Sequence, residues 1–358
     1  MSDRLWGQTI GKRFRAGVVG VGARTVHGEG WARTLAAMPQ VDLVRLVDEE
    51  RTAVENSSRA LAVADWSTDP RAVLEADDLD FVIVNSIDGL HAQHVNLALD
   101  SGKHVVTDKP LAVSTADAGQ IAAKAKRRGL KVAVGHNFRF APHYEFLKGR
   151  VDSGDLGKLF QVEAGYVHDL RRIWKLTPWR ADPSDPQNPW FGGVTHPVDL
   201  ARWIGGEVVE VMAVENKGCS PQEYLPPDNF ILVLKFESGA VGRIWCTFCI
   251  RQNPEFQTFC NAFGDKGSCL ANLQRNRVEY HPDWRIPESG GPLEIPFPAH
   301  PDINRALIED FLAAVESGGS PRGDAAEAVR TMSVIDAAVK SVGSGRFESV
   351  LDGGDGRH

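Results

Sequence analysis

Three short stretches carry residues whose types and spacing could do chemistry together. The first, Gly20-Val21-Gly22-Ala23-Arg24-Thr25, joins a run of small and β-branched residues to a helical stretch. Gly20 permits a tight turn, and Gly22 lets the backbone approach a pyrophosphate resting on the helix N-terminus. Thr25 stands where a third glycine usually serves helix–strand packing, and its hydroxyl can contact a phosphate. The second stretch, Asp108-Lys109-Pro110, follows the apolar run His104 to Val106, so Lys109 sits just past the C-terminal end of a strand. Open α/β sheets collect their ligands there. The third is His196-Pro197-Val198-Asp199. Pro197 fits a first helical turn, which puts His196 at a helix N-terminus. That positive end disfavours imidazolium and keeps a neutral base available at pH 7. Asp199, three residues on, can orient the ring or meet a substrate.

Together these groups could oxidise a secondary alcohol, reversibly in principle. A nicotinamide would take the hydride, His196 the hydroxyl proton, and Lys109 would hold the same oxygen and stabilise the developing alkoxide. The identity of the dinucleotide is read from Asp48, which closes the strand-like Val41 to Val47, 23 residues after Thr25. An acid at that spacing suits the adenine-ribose hydroxyls. Glu49 and Glu50 follow at once, so a 2′-phosphate would meet three carboxylates. That favours NAD over NADP. Asp48 can also cap a helix from Glu50 to Ala62.

The elements that must position these residues follow from hydrophobic patterning. In the first half, short apolar strands alternate with helices: strands at Phe14 to Gly20, Val41 to Val47, Phe81 to Asn85, His104 to Val106 and Lys131 to Val134. Helices are expected near Asp69 to Ala76, at Gly89 to Asp100 and at Ser114 to Arg128, the last ended by Gly129. Strands separated this way make a doubly wound parallel sheet. The pattern then changes. Tyr144 to Val151 reads as a helix, and strands come in series at Phe160 to Val167, Val208 to Val214, Phe230 to Phe236, Val241 to Phe248 and Thr258 to Phe263. Ser238-Gly239 is a hairpin turn between two of them. Runs of strands with little helix indicate a mainly antiparallel sheet, open on one face. Helices at Ile303 to Ser317 and Ala325 to Ser341 close the chain. The expected division is a dinucleotide-binding unit over 1–136 and an α+β unit over 137–358.

Bulk properties narrow the class. A chain of 358 residues with 42% hydrophobic and 24% charged residues is ordinary for a globular protein of two domains. A formal charge of −7 argues against nucleic acid and acidic membrane surfaces. No apolar run reaches the roughly 18 residues that span a bilayer, and the polar, basic start is not a secretory signal. Five cysteines, an odd number, suggest reduced thiols and a cytoplasmic protein. Cys246 and Cys249 form a C-x-x-C on a strand-like run, which points them to opposite faces, so no metal is expected.

The order strand–GVGART, strand–Asp48, VIVNSxxxxH, GKHVVTDKP and VGHNFRFAP resembles the glucose–fructose oxidoreductase / inositol dehydrogenase / MocA family over nearly the whole chain. Departures are Asn85-Ser86 for a usual T-P pair, Asp108 for Glu, and Gly192 where the family commonly has an acid four residues before the histidine. The resemblance implies that Lys109, His196 and Asp199 are catalytic, with Lys109 or Asp199 covering the acid missing at Gly192. It implies cofactor contacts from Gly20, Gly22, Ala23, Arg24, Thr25, Asp48, Asn85, Ser86, His91, Asp108, Lys109 and Asn137. It also implies a homodimer or homotetramer built on the open sheet.

Substrate contacts are expected from Lys109, Arg139, His168, Trp174, Arg180, His196 and Asp199. The loop His168 to Gly193 holds Trp174, Trp179, Trp190, Arg171, Arg172 and Arg180. Indole faces suit sugar or cyclitol C–H faces and arginines suit hydroxyls, while pinning the loop is the equal alternative. The substrate is then a small polyhydroxylated molecule. Two other readings fit the same residues. One is an NAD-dependent glycosidase using transient oxidation. The other is a non-catalytic NAD-linked sugar sensor.

Overall fold

A computed structural model describes residues 13–22, 28–182, 187–218, 220, 224, 226–250, 256–283, 291–298 and 301–351. Strand β1 (Phe14–Val19) leads through the glycine turn to α1 (Gly28–Ala36), then β2 (Val41–Val47), α2 (Arg51–Leu61), β3 (Asp65–Ser67) and α3 (Arg71–Leu74). Next come β4 (Phe81–Val84), α4 (His91–Asp100), β5 (His104–Thr107), α5 (Thr115–Arg128) and β6 (Val132–Val134). The strands pair in parallel in the order β3-β2-β1-β4-β5-β6. This is the expected doubly wound sheet. Its third strand, Asp-Trp-Ser, is too short and polar to stand out as a strand. Chain order reverses between β1 and β4, and a crevice at the strand C-termini belongs there. The glycine turn, Asp48, Asn85-Ser86 and Lys109 all lie along that edge. Helix α5 has its ends where sequence signals put them: Ser114 accepts from the Asp117 amide and Gly129 is left-handed at φ 66°.

After α6 (Pro142–Asp152) the chain builds a second layer: β7 (Leu159–Val167), α7 (Arg171–Leu176), α8 (Thr195–Gly205), β8 (Val208–Asn216), β9 (Asn229–Phe236), β10 (Val241–Thr247), β11 (Gln257–Gly264), β12 (Ser268–Asn272), β13 (Arg277–His281) and β14 (Leu293–Pro296). Helices α9 (Ile303–Ser317) and α10 (Ala325–Ser344) follow, and β15 (Glu348–Ser349) ends the described chain. The second sheet runs β14-β13-β12-β11-β7-β10-β9-β8-β15, antiparallel except for the β7–β10 pair. Strands β12 to β15 were not expected, because few apolar residues mark them. The hairpin between β9 and β10 turns at Gly239, φ 86°.

Strand β9 shows how the layer is built. Phe230, Leu232, Leu234 and Phe236 are buried while Ile231 and Val233 are exposed, so one face packs and the other is open. On the packed side lie α6, α8 and α10. Helix α10 also touches α5, so it joins the two layers. Helix α9 returns to the first sheet, where Leu307, Ile308, Phe311 and Leu312 share a core with Phe14 and Phe81. No helix among the described residues is long and apolar enough to cross a membrane.

Candidate active site

The glycine turn is built as a cradle. Gly20 has φ 89°, and a Cβ there would fall 2.1 Å from the Asn85 carbonyl oxygen, so only glycine fits. Asn85 donates from Nδ2 back to the Gly20 carbonyl at 3.0 Å, which locks the ends of β1 and β4 together. The amides of Val21 and Gly22 converge on Asp48 Oδ2 at 3.0 and 2.7 Å, and Asp48 Oδ1 accepts from the Glu50 amide at 2.9 Å. Two amides meeting one carboxylate oxygen are the donor arrangement that an anionic phosphate oxygen also needs. An adjoining pocket is walled by Val47, Asp48, Glu49, Ser86, Leu90 and His94. The residues present therefore fit a dinucleotide. Ala23, Arg24 and Thr25 lie outside the described residues.

Two histidines of α4 stand beside the site, each buried. The His91 ring nitrogens lie 2.6 and 2.9 Å from the carbonyls of Pro110 and Ser86. His91 thus braces the loop carrying Lys109 rather than offering a donor to a cofactor. His94 lines the pocket with Nδ1 3.0 Å from Ser86 Oγ. Burial, helped by neighbouring His91, lowers its pKa to about 4.

Lys109 crosses from the first layer to the second. Its amide donates to Asp108 Oδ1 at 2.8 Å, and its Nζ donates to the Gly192 carbonyl at 2.6 Å, 83 residues away in sequence. Gly192 lies in a π-helical turn, Trp190–Val194, that runs directly into α8. Pro197 has no N–H to give to a carbonyl four or five residues before it, Gly193 or Gly192. The Lys109 ammonium supplies a donor to the Gly192 oxygen, about one turn before His196. This continuity corrects one expectation. The helical backbone begins near Trp190, so His196 does not stand at a helix N-terminus.

Lys109 and His196 line a common cavity of about 350 Å³ with His168, Tyr166, Arg180 and Asp88. Leu170, Ile173, Phe248 and Phe256 give it an apolar wall. The His196 ring lies between Tyr166 and Phe138, with both ring centroids at 4.8 Å. Burial lowers the pKa of Lys109 below the ordinary lysine value, opposed by Asp108 and Asp88 and reinforced by Arg180. Burial likewise holds His168 at about 4, against the attraction of Asp169. Tyr166 is pushed up by burial and stays a neutral phenol.

Asp199 does not line this cavity. Its two oxygens accept from Arg139 Nη2 and Nε at 2.6 and 2.8 Å, and Thr331 Oγ1 donates to it at 3.1 Å. Burial would raise its pKa, but the Arg139 guanidinium, then His136, drive it well below the carboxylate range. The helix turns Asp199 toward Arg139 and α10, so both residues expected at the substrate are committed to each other behind the site. Asp199 therefore does not cover the acid absent at Gly192. His136, 3.7 Å from Asp199, is held near 4 by burial, and Asp199 opposes this. Asn137 donates to Asn304 on α9 at 3.1 Å.

In the loop, Trp190 is buried and donates to Glu215 at 2.8 Å, so it pins the chain instead of presenting a sugar platform. Trp174 belongs to α7 by its backbone, and its side chain lies outside the described set. Arg171 pairs with Asp169. Of the loop cations expected to meet hydroxyls, Arg180 reaches the cavity. Sequence reading missed Asp88, Tyr166 and Gln187. Asp88 lies in the loop after β4, a ligand-collecting position that a closer look at strand ends could have flagged. Gln187 carries no local signal at all. Among the described residues no group of three His, Cys, Asp or Glu could hold a metal. Cys246, Cys260 and Cys269 are buried free thiols.

Comparison with known proteins agrees with this geometry. Residues 14–136 match the family model described as an oxidoreductase family with an NAD-binding Rossmann fold, and residues 144–270 match the GFO/IDH/MocA C-terminal domain. D-apiose dehydrogenase of Paraburkholderia graminis is 24% identical, covering 94% of this chain and 90% of its own length. Myo-inositol 2-dehydrogenase of Thermotoga maritima is 26% identical over 86% of this chain and 90% of its own length. The structure of levoglucosan dehydrogenase in complex with NADH and levoglucosan superposes with TM-score 0.82 at 21% identity, covering 95% of this chain and all (100%) of that one. The two domain models together take in well over half of the residues, and the chain belongs to the GFO/IDH/MocA oxidoreductase family.

Proposed function

We propose that this protein oxidises a secondary ring hydroxyl of a cyclitol, sugar or glycoside with NAD, reversibly. The observation that carries the reading is the Lys109 Nζ to Gly192 carbonyl bond, which brings the lysine of one layer beside the histidine of the other. The relatives named above act on polyhydroxylated molecules, which supports the substrate class. Gly20, Gly22, Asp48, Asn85 and Ser86 would hold the dinucleotide, with Ala23, Arg24 and Thr25 completing the turn. Asp48, Glu49 and Glu50 would repel a 2′-phosphate, so NAD is preferred to NADP. When bound, NAD supplies the hydride acceptor.

The chain's own residues handle the proton and the oxygen. His196 takes the hydroxyl proton at an imidazole nitrogen. Lys109 holds the same oxygen and stabilises its developing charge, more strongly because the aromatic wall excludes water. The exposed apolar face of the second sheet would be covered in a homodimer or homotetramer, and the buried free thiols suit a reducing cytoplasm. NADH formation at 340 nm with a panel of cyclitols, sugars and glycosides tests the reading. Turnover of at least one is expected. No turnover of any, with NAD shown to bind, would count against it.

A further inference from the structure

Arg180 is the cation on the cavity wall whose partners are incomplete. Among the described residues it forms no ion pair, its Nε is buried without a hydrogen-bond partner, and its guanidinium lies 4.6 Å from the Trp179 ring. Its Nη1 donates to a neutral acceptor, Gln187 Oε1, at 2.5 Å. Gln187 then donates from Nε2 to Asp88 Oδ2 at 2.5 Å, so an uncharged amide stands between the arginine and the acid on that wall. Gln187 is itself tightly seated. Its amide donates to the Arg180 carbonyl at 3.1 Å, and a Cβ on Gly192 would fall 2.8 Å from its Cδ. Opposite, His168 Nε2 is a second buried nitrogen without a partner, on a ring that burial keeps neutral.

A guanidinium on the cavity wall, kept from the Asp88 carboxylate by a fixed neutral spacer, is arranged to receive an anion from outside the chain. A carboxylate pairs with a guanidinium through charge-assisted N–H···O bonds, and a neutral hydroxyl cannot replace that charge. We propose that the cavity selects a polyhydroxylated carboxylate, a sugar acid, by pairing the substrate carboxylate with Arg180 while Gln187 holds the guanidinium in place. This inference rests on the dehydrogenase reading and narrows its substrate class.

The test pairs each uronic acid with the neutral hexose of the same ring configuration, galacturonate with galactose and glucuronate with glucose. Initial rates of NADH formation give the ratio of kcat/KM for acid over neutral sugar. Titration of the protein–NADH complex, followed by tryptophan fluorescence, gives Kd for both. The acid is expected to be favoured in both readouts. Arg180→Gln is expected to lower the acid-to-neutral ratio about 30-fold, and Arg180→Lys to recover part of it. Retained NADH binding shows that the variants fold. Equal or better use of the neutral sugars, or a ratio unmoved by Arg180→Gln, overturns the proposal and leaves the dehydrogenase reading standing. Absence of turnover on every compound defeats the dehydrogenase reading. The fluorescence titration then decides the carboxylate site: acid binding lost in Arg180→Gln supports it, and equal binding of acid and neutral sugar overturns it.

Discussion

In the proposed reaction Lys109 and His196 have different duties, and single substitutions should separate them. Truncating the base, His196→Ala, is expected to lower kcat/KM by about 10² to 10⁴. Lys109→Ala is expected to lower it by about 10² to 10³ through lost stabilisation of the oxygen. Steady-state kinetics at saturating NAD reads both. Because burial lowers the Lys109 pKa, the alkaline loss of activity should begin below the ordinary lysine range and vanish from the profile of Lys109→Ala. Gly20, Asp48, Lys109 and His196 were legible as candidates because each sits beside a strong local signal: a strand end, a glycine turn or a proline opening an apolar helical pattern. Asp199 was misplaced because a spacing of three residues fixes a helix face but not what that face meets. Arg139, 60 residues away in the chain, decided it.

At the scale of elements, the helical starts and stops written in the chain mostly hold, and the exception is informative. A proline at 197 reads as a first-turn residue, yet the backbone is helical from the π turn onward. Pro197 lacks the N–H that a π turn would direct at the Gly192 carbonyl, which accepts from Lys109 Nζ. Pro197→Ala returns a competing donor, and kcat/KM is expected to fall about tenfold. The Arg139–Asp199 pair ties the turn after β6 to α8 and, through Thr331, to α10. Asp199→Ala leaves the buried Arg139 guanidinium with Glu327, at 3.1 Å, as its remaining carboxylate and is expected to cost about 3 kcal/mol of stability by urea unfolding.

The same region sets a pH dependence. His94 and His136 are buried neutral with pKa values near 4, below the ordinary 6.5, so the unfolded chain binds protons that the folded chain refuses. Stability should therefore fall as pH drops from about 6.5 toward 4, and His136→Asn should flatten that slope. Asp199, shifted below its ordinary 3.8, adds a separate loss only at still lower pH. Strands β12 to β15 escaped the sequence because they are short and sparsely apolar, and their pairing comes from neighbours rather than from their own pattern.

For the whole molecule, the second sheet leaves Phe160, Val209, Val214, Ile231, Val233 and Val241 between 41% and 55% exposed. So much aliphatic and aromatic surface on one face fits the proposed oligomer contact. Sedimentation velocity is expected to show a dimer or tetramer that Ile231→Lys with Val233→Lys shifts toward monomer. The two-layer plan was readable from the change between strand–helix alternation and serial strands. The return of α9 to the first sheet was not, since its apolar stripe says that it packs but not on which layer. The proposed active site depends on that plan, because its lysine and its histidine come from different layers. The most direct test is the single-turnover rate of NADH formation on a turned-over polyol or sugar acid, compared among the wild type, Lys109→Ala and His196→Ala with NAD prebound. Both variants are expected to bind NAD and to be slower by at least about 10². Either variant reacting at the wild-type rate would contradict a site shared between the two layers.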